Sequence, residues 1–150
     1  MIISRTSQYA IQALIYLAIE SNGRQVLSHD IAHGLGVSQP YLAKVLQGLC
    51  RVRLVKSSRG RRGGFSLTSG AEHSSLLDIV RMTDGPRADR ECLLGLKVCQ
   101  DETACPMHSK WKVVKKHIHA CLGDITVMHL ARAVQSGQYR IADLPQAIAG

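Results

Sequence analysis

A glycine-rich turn between two short strand-like segments most constrains the fold of this chain. Residues 59–64 read RGRRGG, residues 54–58 before them read LVKSS, and residues 65–67 after them read FSL. Two such segments around a turn with three glycines predict a β-hairpin. A purely structural turn needs one or two glycines and has no need of three arginines, so the tip of this hairpin is a candidate binding element.

Two short amphipathic helices are predicted directly before the hairpin. Ser28, His29 and Asp30 are N-cap candidates for the first helix, and Gly34 or Gly36 ends it. Ser38 is the N-cap candidate of the second helix, and Pro40 falls in its first turn, where the missing N–H costs little. The apolar residues of that helix repeat with helical spacing up to Cys50 and are Tyr41, Leu42, Val45, Leu46 and Leu49. Helix-turn-helix plus hairpin predicts a winged helix.

The basic charge of the chain is concentrated in this part of the sequence. The formal net charge is +8, and residues 31–71 hold no acidic residue; their basic residues are Lys44, Arg51, Arg53, Lys56, Arg59, Arg61 and Arg62. Charge placed this way is typical of a protein that binds a polyanion. A solvated basic face is the alternative. The candidate DNA-binding residues are Ser38, Gln39, Pro40, Tyr41, Lys44, Arg59, Gly60, Arg61, Arg62 and Gly63.

Each group of these residues suits a different part of a duplex. The first turn of a recognition helix reaches base edges in the major groove, where Gln39 can pair with adenine. Ser38 and Tyr41 can hold phosphates. The arginines of the hairpin suit a narrow minor groove, whose negative potential attracts them.

Further helices are predicted around this module. They cover residues 5–20, which are apolar on nearly all sides, residues 75–83, a long helix from Cys105-Pro106, and residues 125–134. A helix that is apolar all round is buried on more than one side, which suggests that a second subunit covers residues 5–20. We expect a mostly α fold with a DNA-binding domain at 1–84, a cluster-binding loop at 85–108, a dimerisation helix and terminal short helix at 105–136, and a tail at 137–150.

Several function classes fit the sequence poorly. Residues 1–6 lack the order of a secretory leader, and the apolar stretch 9–19 is shorter than the ~20 residues of a membrane span. We therefore expect a cytoplasmic protein without membrane association, in which thiols stay reduced. No nucleophile with a base, phosphate loop or paired carboxylates is recognisable, so an enzyme is not expected.

Three cysteines and one histidine form the second candidate site. Cys92, Cys99, Cys105 and His108 follow the spacing C-x6-C-x5-C-x2-H. Iron–sulfur clusters bind mainly thiolates, with histidine as an occasional substitute, whereas zinc sites usually contain closer cysteine pairs. The long gaps favour a cluster in a loop, and zinc, a 4Fe–4S cluster or three incidental thiols remain alternatives. We expect Cys105 and His108 to share a helix face.

The remaining cysteines and histidines are expected to have ordinary roles. Cys50 and Cys121 fall on apolar helix faces and are predicted core residues. The other histidines are predicted at the surface or at an interface, and they are His29, His33, His73, His117, His119 and His129.

Together these motifs resemble the iron–sulfur-sensing winged-helix regulators that include IscR, NsrR and CymR. The resemblance covers nearly the whole chain, and its marks are Tyr9-Ala10, the sequence SQPYL at 38–42, the sequence RGRRGGFSL at 59–67, the cysteine and histidine pattern, and the sequence DITVMHL at 124–130. The IscR type is most similar, although the first gap between cysteines is one residue longer here. Gln8 stands where the NsrR type has an acidic ligand, and the CymR branch lacks the three-cysteine loop.

The resemblance implies a homodimer joined by the long helix, bound to a partly palindromic double-stranded DNA operator. It implies a 2Fe–2S cluster on Cys92, Cys99, Cys105 and His108 whose presence or oxidation state sets the affinity for DNA, in a regulator expected to be a repressor. Two alternatives remain open. One is a winged-helix regulator that binds zinc or uses thiol oxidation, and the other is an iron–sulfur electron-transfer or carrier protein.

Overall fold

The structure is a computed structural model that describes residues 3–20, 24–97, 99–103 and 105–137. It confirms the expected mostly helical fold with one antiparallel hairpin. The elements are α1 (Arg5–Glu20), α2 (Ser28–Leu35), α3 (Gln39–Arg51), β1 (Val55–Ser58), β2 (Gly64–Leu67), α4 (Leu76–Asp84), α5 (Arg87–Arg90), α6 (His108–Asp124) and α7 (Val127–Gln135). Short 3-10 turns span Ala71–His73 and Asp101–Thr103. We call α1–α4 with the hairpin the reader, and residues 85–108 the cysteine loop.

The helix-turn-helix forms for the local reasons that the sequence indicates. Gly36 ends α2 in the left-handed region at φ 62°, where glycine is favoured, and Ser38 is the N-cap residue of α3 with Pro40 in the first turn. One prediction is wrong, because α2 already begins at Ser28 and its N-cap position is Leu27. The cap candidates therefore lie inside the helix.

The predicted hairpin is present and has an additional partner. Val55 pairs with Leu67 and Ser58 with Gly64. The backbone of Phe65 also exchanges hydrogen bonds with Val26, at 2.7 and 2.8 Å. Gly64 has φ 145°, and a Cβ on it would lie 2.6 Å from the Val26 carbonyl oxygen. Glycine is therefore required where the hairpin docks against residue 26.

Helix α1 lies at the centre of the core. Its residues Ala10, Ala13, Leu14 and Leu17 are fully buried, and it packs against α2, α3, α4, α7 and β2. The expectation that a second subunit covers this helix is wrong, because α7 of the same chain supplies the cover. Val127 and Val134 of α7 belong to the same core as the reader.

Polar bonds join the ends of α1 and α4. Asp84 accepts hydrogen bonds from the backbone N–H and the hydroxyl of Ser4, and the hydroxyl of the buried Ser7 is hydrogen-bonded to that of Thr83. The predicted helix at 75–83 is confirmed within a residue, with Ser75 accepting from the N–H of Asp78 as a side-chain N-cap.

Helix α6 departs from the prediction in two respects. It begins at His108 and not at Cys105-Pro106, since residues 106–107 form a turn in which the N–H of His108 bonds to the Cys105 carbonyl at 2.9 Å. Cys105 therefore precedes the helix and does not share a helix face with His108. Cys121 is exposed, so its assignment to the core is wrong, whereas Cys50 does pack against the core.

The residues on either side of the segment 76–125 pair with each other. Ser75 and Thr126 form an antiparallel bridge, with bonds from Leu76 N–H to the Ile125 carbonyl at 2.9 Å and from Val127 N–H to the Ser74 carbonyl at 3.2 Å. Of the expected tail at 137–150, residues 138–150 lie outside the described residues. Within the described ranges, no helix has the length and apolar character needed to cross a bilayer.

Candidate functional site

The start of α3 presents most of its predicted contact residues to solvent. Ser38, Gln39, Pro40 and Lys44 are exposed. Tyr41 is half-buried, since its ring packs edge-on against Tyr9 of α1 with a centroid distance of 5.5 Å. The recognition helix is thereby connected through an aromatic pair to the helix at the centre of the core.

The hairpin tip carries the other predicted contact residues. Arg59, Arg61 and Arg62 are all exposed, and Gly60 has φ 100°. Gly63 is buried against the turn, where any Cβ would overlap the Ser58 carbonyl oxygen. These glycines let the tip fold tightly while the three guanidinium groups stay free to approach a duplex.

The three thiols of the cysteine loop come together. Cys92 is buried, and its thiol interacts with the thiols of Cys105 and Cys99. Backbone N–H groups of Leu96 and then Leu94 lower the pKa of the Cys92 thiol, and the two neighbouring thiols add to that effect. This arrangement favours a thiolate, which is the form that binds metals.

His108 completes the set from the first residue of α6. Its Nδ1 lies 3.4 Å from the Cys99 sulfur. Desolvation raises the pKa of the Cys99 thiol, Lys115 opposes that effect, and the neighbouring Cys92 and Cys105 add to it. A cation at 115 therefore partly offsets the cost of negative charge at the thiols.

The second nitrogen of His108 is engaged outside the thiol cluster. Its Nε2 lies 2.9 Å from Asp101 Oδ1, and Lys112 Nζ donates to both carboxylate oxygens of Asp101 at 3.0 Å. The hydrogen bond with His108, followed by the contacts with Lys112, lowers the pKa of the Asp101 carboxyl. An open cavity of about 330 Å³ adjoins this group, lined by Cys99, Gln100, Asp101, Glu102, His108, Lys112 and Lys115.

The donors fit an iron–sulfur cluster in type. Three thiols and one imidazole are a known ligand class for such clusters, and the structure places Cys99 beside His108 and lets the Cys92 thiol interact with the other two thiols. In the part of the chain that the structure describes, no group of three or more His, Cys, Asp or Glu side chains is arranged so that it could hold a metal ion. The ligand assignment therefore stays a proposal.

The base of the cysteine loop is attached to α6 and α4 by a few polar bonds. The indole N–H of Trp111 donates to the Glu91 carbonyl at 3.0 Å, directly before Cys92, and Lys115 donates to the Asp89 carbonyl at 3.1 Å. The Asp89 carboxylate in turn pairs with Arg81 of α4 at 3.1 Å. These bonds connect the thiol cluster to the reader.

Comparison with known proteins agrees with this fold. A profile of the family Rrf2, described as an iron-dependent transcriptional regulator, matches residues 3–133. The chain belongs to the Rrf2 family. It is accordingly a DNA-binding transcriptional regulator and not an enzyme, as the sequence motifs predicted.

Individual Rrf2 relatives resemble the chain over most of its length. A protein of Aquifex aeolicus (strain VF5) that is named as an HTH-type transcriptional regulator is 33% identical over 132 residues. The match covers 87% of this chain and 91% of that protein. IscR of Vibrio atlanticus (strain LGP32) is 29% identical over 88% of this chain and 76% of its own length.

Two solved structures share the fold. The structure of T. potens IscR matches with a TM-score of 0.72 and 29% identity, covering 92% of this chain and 91% of that one. CymR, the global cysteine regulator of B. subtilis, matches with a TM-score of 0.71 and 25% identity, covering 87% of this chain and 95% of that one.

Sequence reasoning missed the polar groups that surround the site. Asp101 and Lys112 were not singled out and Trp111 was only placed on the long helix, although an acidic residue between two candidate ligands and a lysine four residues after His108 on the same helix face were visible signals. The predicted surface position of His29, His33, His73, His117 and His129 is confirmed, while His119 is half-buried beside Asp89.

Proposed function

We propose that this Rrf2-family regulator is a repressor whose affinity for its operator is controlled by a 2Fe–2S cluster held by Cys92, Cys99, Cys105 and His108. The observation that carries the proposal is the position of Cys99 at 3.4 Å from His108 Nδ1, together with the interaction of the Cys92 thiol with the thiols of Cys105 and Cys99. The iron-dependent character of the family and the likeness to IscR support iron as the metal.

The residues around the thiols give the site its chemical character. When bound, a 2Fe–2S cluster supplies reversible one-electron chemistry and a centre that can be gained or lost. His108 contributes a neutral ligand, which makes the site less negative than four thiolates would. Lys115 offsets part of the thiolate charge, and the adjoining cavity gives small molecules access to Cys99.

A continuous set of contacts leads from this site to the recognition helix. Trp111 and Lys115 hold the loop at residues 89–91, and Arg81 joins Asp89 to α4. The end of α4 is bonded to the start of α1, and α1 carries Tyr9, which packs against Tyr41 of α3. A change at the site can therefore alter the position of α3, and a difference of a few kcal/mol between two forms is about what a strong population shift requires.

The DNA contacts in this proposal are the exposed residues at the start of α3 and at the hairpin tip. Gln39 is exposed and donates a long 3.4 Å hydrogen bond to the Ser28 hydroxyl, which it can exchange for base edges, and Ser38 and Lys44 can approach phosphates. Tyr41 is a weaker candidate for direct phosphate contact because Tyr9 covers part of its ring. Arg59, Arg61 and Arg62 suit the minor groove beside the recognition helix.

The proposal includes a homodimer formed through α6. None of its 17 residues is buried within the chain, and Val113 and Val114 are 56% and 45% exposed. Exposed apolar side chains on a long helix are typical of an interface. A Val113→Glu variant should sediment as a monomer in analytical ultracentrifugation, whereas the unmodified chain should sediment as a dimer.

The cluster is tested by anaerobic reconstitution of purified protein with ferrous iron and sulfide. We expect a coloured product with about two irons per chain, and tighter or weaker operator binding than by the cluster-free protein in fluorescence anisotropy. Cys99→Ala should lose the colour, and Cys121→Ala, which changes an exposed cysteine outside the site, should keep it. A colourless product, or equal DNA affinity with and without the cluster, contradicts the proposal.

The wing contact is tested by the salt dependence of binding. Removal of one cationic contact with the duplex in Arg59→Ala should weaken binding and reduce the slope of log K against log salt by about 0.9. Arg132→Ala, which changes an exposed arginine of α7, should leave the slope unchanged. Equal slopes for Arg59→Ala and the unmodified chain would exclude a wing contact at this position.

Thiol oxidation is a second candidate function for the same residues. The observation in its favour is the mutual proximity of three thiols, together with the fold shared with CymR. Metal analysis distinguishes the candidates, because a thiol switch binds DNA differently after oxidation without any iron or zinc. A carrier role would require that neither cluster state binds DNA selectively.

A further inference from the structure

The imidazole of His108 is held on both of its nitrogens by different partners. Nδ1 faces the sulfur of Cys99 at 3.4 Å, and Nε2 faces the carboxylate of Asp101 at 2.9 Å. A neutral imidazole carries one proton, and a carboxylate acts as an acceptor. The pairing therefore places the proton on Nε2 and leaves the lone pair of Nδ1 directed toward the thiols.

Asp101 is itself fixed in place by a second residue of α6. Lys112 Nζ donates to both carboxylate oxygens at 3.0 Å. His108 and Lys112 are four residues apart on the helix, so they lie on one face, and Asp101 of the 3-10 turn reaches both. The carboxylate is thus held between the candidate ligand and a cation.

We propose that Asp101, fixed by Lys112, is a positioning residue that orients His108 so that Nδ1 is the nitrogen offered to the cluster. The inference rests on the proposed function. Histidine ligands commonly donate their other N–H to a carboxylate, which fixes the tautomer and increases the electron donation of the ring. Asp101 therefore tunes the cluster through His108 without touching the metal.

Stability alone does not account for this arrangement. The side chains of Asp101 and Lys112 are 68% and 64% exposed, and ion pairs between exposed groups contribute little to folding. The side chain of His108 is only 13% exposed. The effect of the carboxylate is therefore concentrated on the orientation of one partly enclosed ring.

The test compares Asp101→Asn with the control Glu102→Gln after anaerobic loading with ferrous iron and sulfide. Asparagine keeps the shape but removes the charge, and its amide can turn its NH₂ toward Nε2. We expect cluster loss to a chelator to be ~10–100-fold faster in Asp101→Asn, and its reduction potential in a visible-spectrum titration to be more positive. Glu102 lines the same cavity with an exposed carboxylate, and Glu102→Gln should behave like the unmodified chain.

A measurement on the cluster-free protein tests the orientation independently. Nitrogen-15 NMR of His108 should show the Nε2–H tautomer in the unmodified chain and a shift toward the Nδ1–H tautomer in Asp101→Asn. If both proteins show the same tautomer, or if cluster loss and potential are unchanged in Asp101→Asn, the inference is wrong while the proposed function stands. If the unmodified chain assembles no cluster, the proposed function fails and the inference fails with it.

Discussion

The reader and the segment 85–124 differ in how many of their side chains are buried. The reader is organised around side chains that are fully buried, among them Leu14, Leu42, Leu46 and Ile79. Helix α6, although longer than any helix of the reader, buries none of its residues and is attached by bonds such as Trp111 to the Glu91 carbonyl. Local stability follows buried apolar contact. The reader is therefore the rigid part, and the segment with the cysteines is the part that a bound group or a second chain can move at low cost.

The largest effect should come from a cavity in the reader. Leu14→Ala removes a fully buried side chain at the centre of α1 and should lower the free energy of unfolding by about 2–5 kcal/mol. Val113→Ala on α6 should change it by no more than about 0.5 kcal/mol when measured on the monomer, because that residue is largely exposed. Urea unfolding followed by circular dichroism measures both, and equal losses would contradict the contrast between the two regions.

A smaller effect is expected where α2 meets α1. Any Cβ on Gly34 would overlap the ring of Tyr16, which is buried. Gly34→Ala should therefore destabilise the protein by about 1–3 kcal/mol through overpacking.

Gly48 of α3 is the matched control for that substitution. It faces open space in the interior of a helix, so Gly48→Ala should stabilise by about 0.5–1 kcal/mol. The thermal unfolding midpoints of the two variants should shift in opposite directions. A shift in the same direction would contradict the difference in packing around Gly34 and Gly48.

The cap of α7 should have an effect of about 1 kcal/mol. Thr126 accepts from the N–H of His129, and the His129 ring accepts from the N–H of Thr126, so Thr126→Ala removes one of two reciprocal bonds. Ser38 caps α3 without such a side-chain bond. Ser38→Ala should leave the unfolding midpoint nearly unchanged while it weakens DNA binding, and a large loss of stability would place Ser38 among the structural residues instead.

The most local effect should come from Trp111→Phe. This change removes one hydrogen bond to the Glu91 carbonyl, which is worth about 0.5–1.5 kcal/mol. Hydrogen exchange should become faster in residues 85–97 and remain unchanged in α1 and α3. Faster exchange throughout the reader would mean that the two regions do not open independently of each other.

The parts of the fold that were predictable have strong local signals. Gly36 and Ser38 mark the turn between α2 and α3, and the glycines of residues 59–64 mark the hairpin. The short α5 was missed because four residues give no period to detect. The start of α6 was placed at Cys105 because Pro106 is typical of a first helical turn, whereas the structure uses it in the turn before the helix.

The non-local parts could not be predicted from patterns in the sequence. The apolar surface of α1 was correctly expected to be covered, but nothing in residues 5–20 shows that α7 of the same chain covers it. The four candidate ligands were recognisable by residue type and spacing. The contacts of Asp101 with His108 and with Lys112 depend on how a loop folds back on a helix, which spacing alone does not reveal.

The bridge between Ser75 and Thr126 has a consequence for how the protein is made. Val127, Ala131 and Val134 complete the core around α1, and they come after all three cysteines of the loop in chain order. During synthesis, the cysteine loop and α6 therefore leave the ribosome before the core of the winged helix can be completed by α7. Every winged helix with a complete core therefore already carries the cysteine loop and α6.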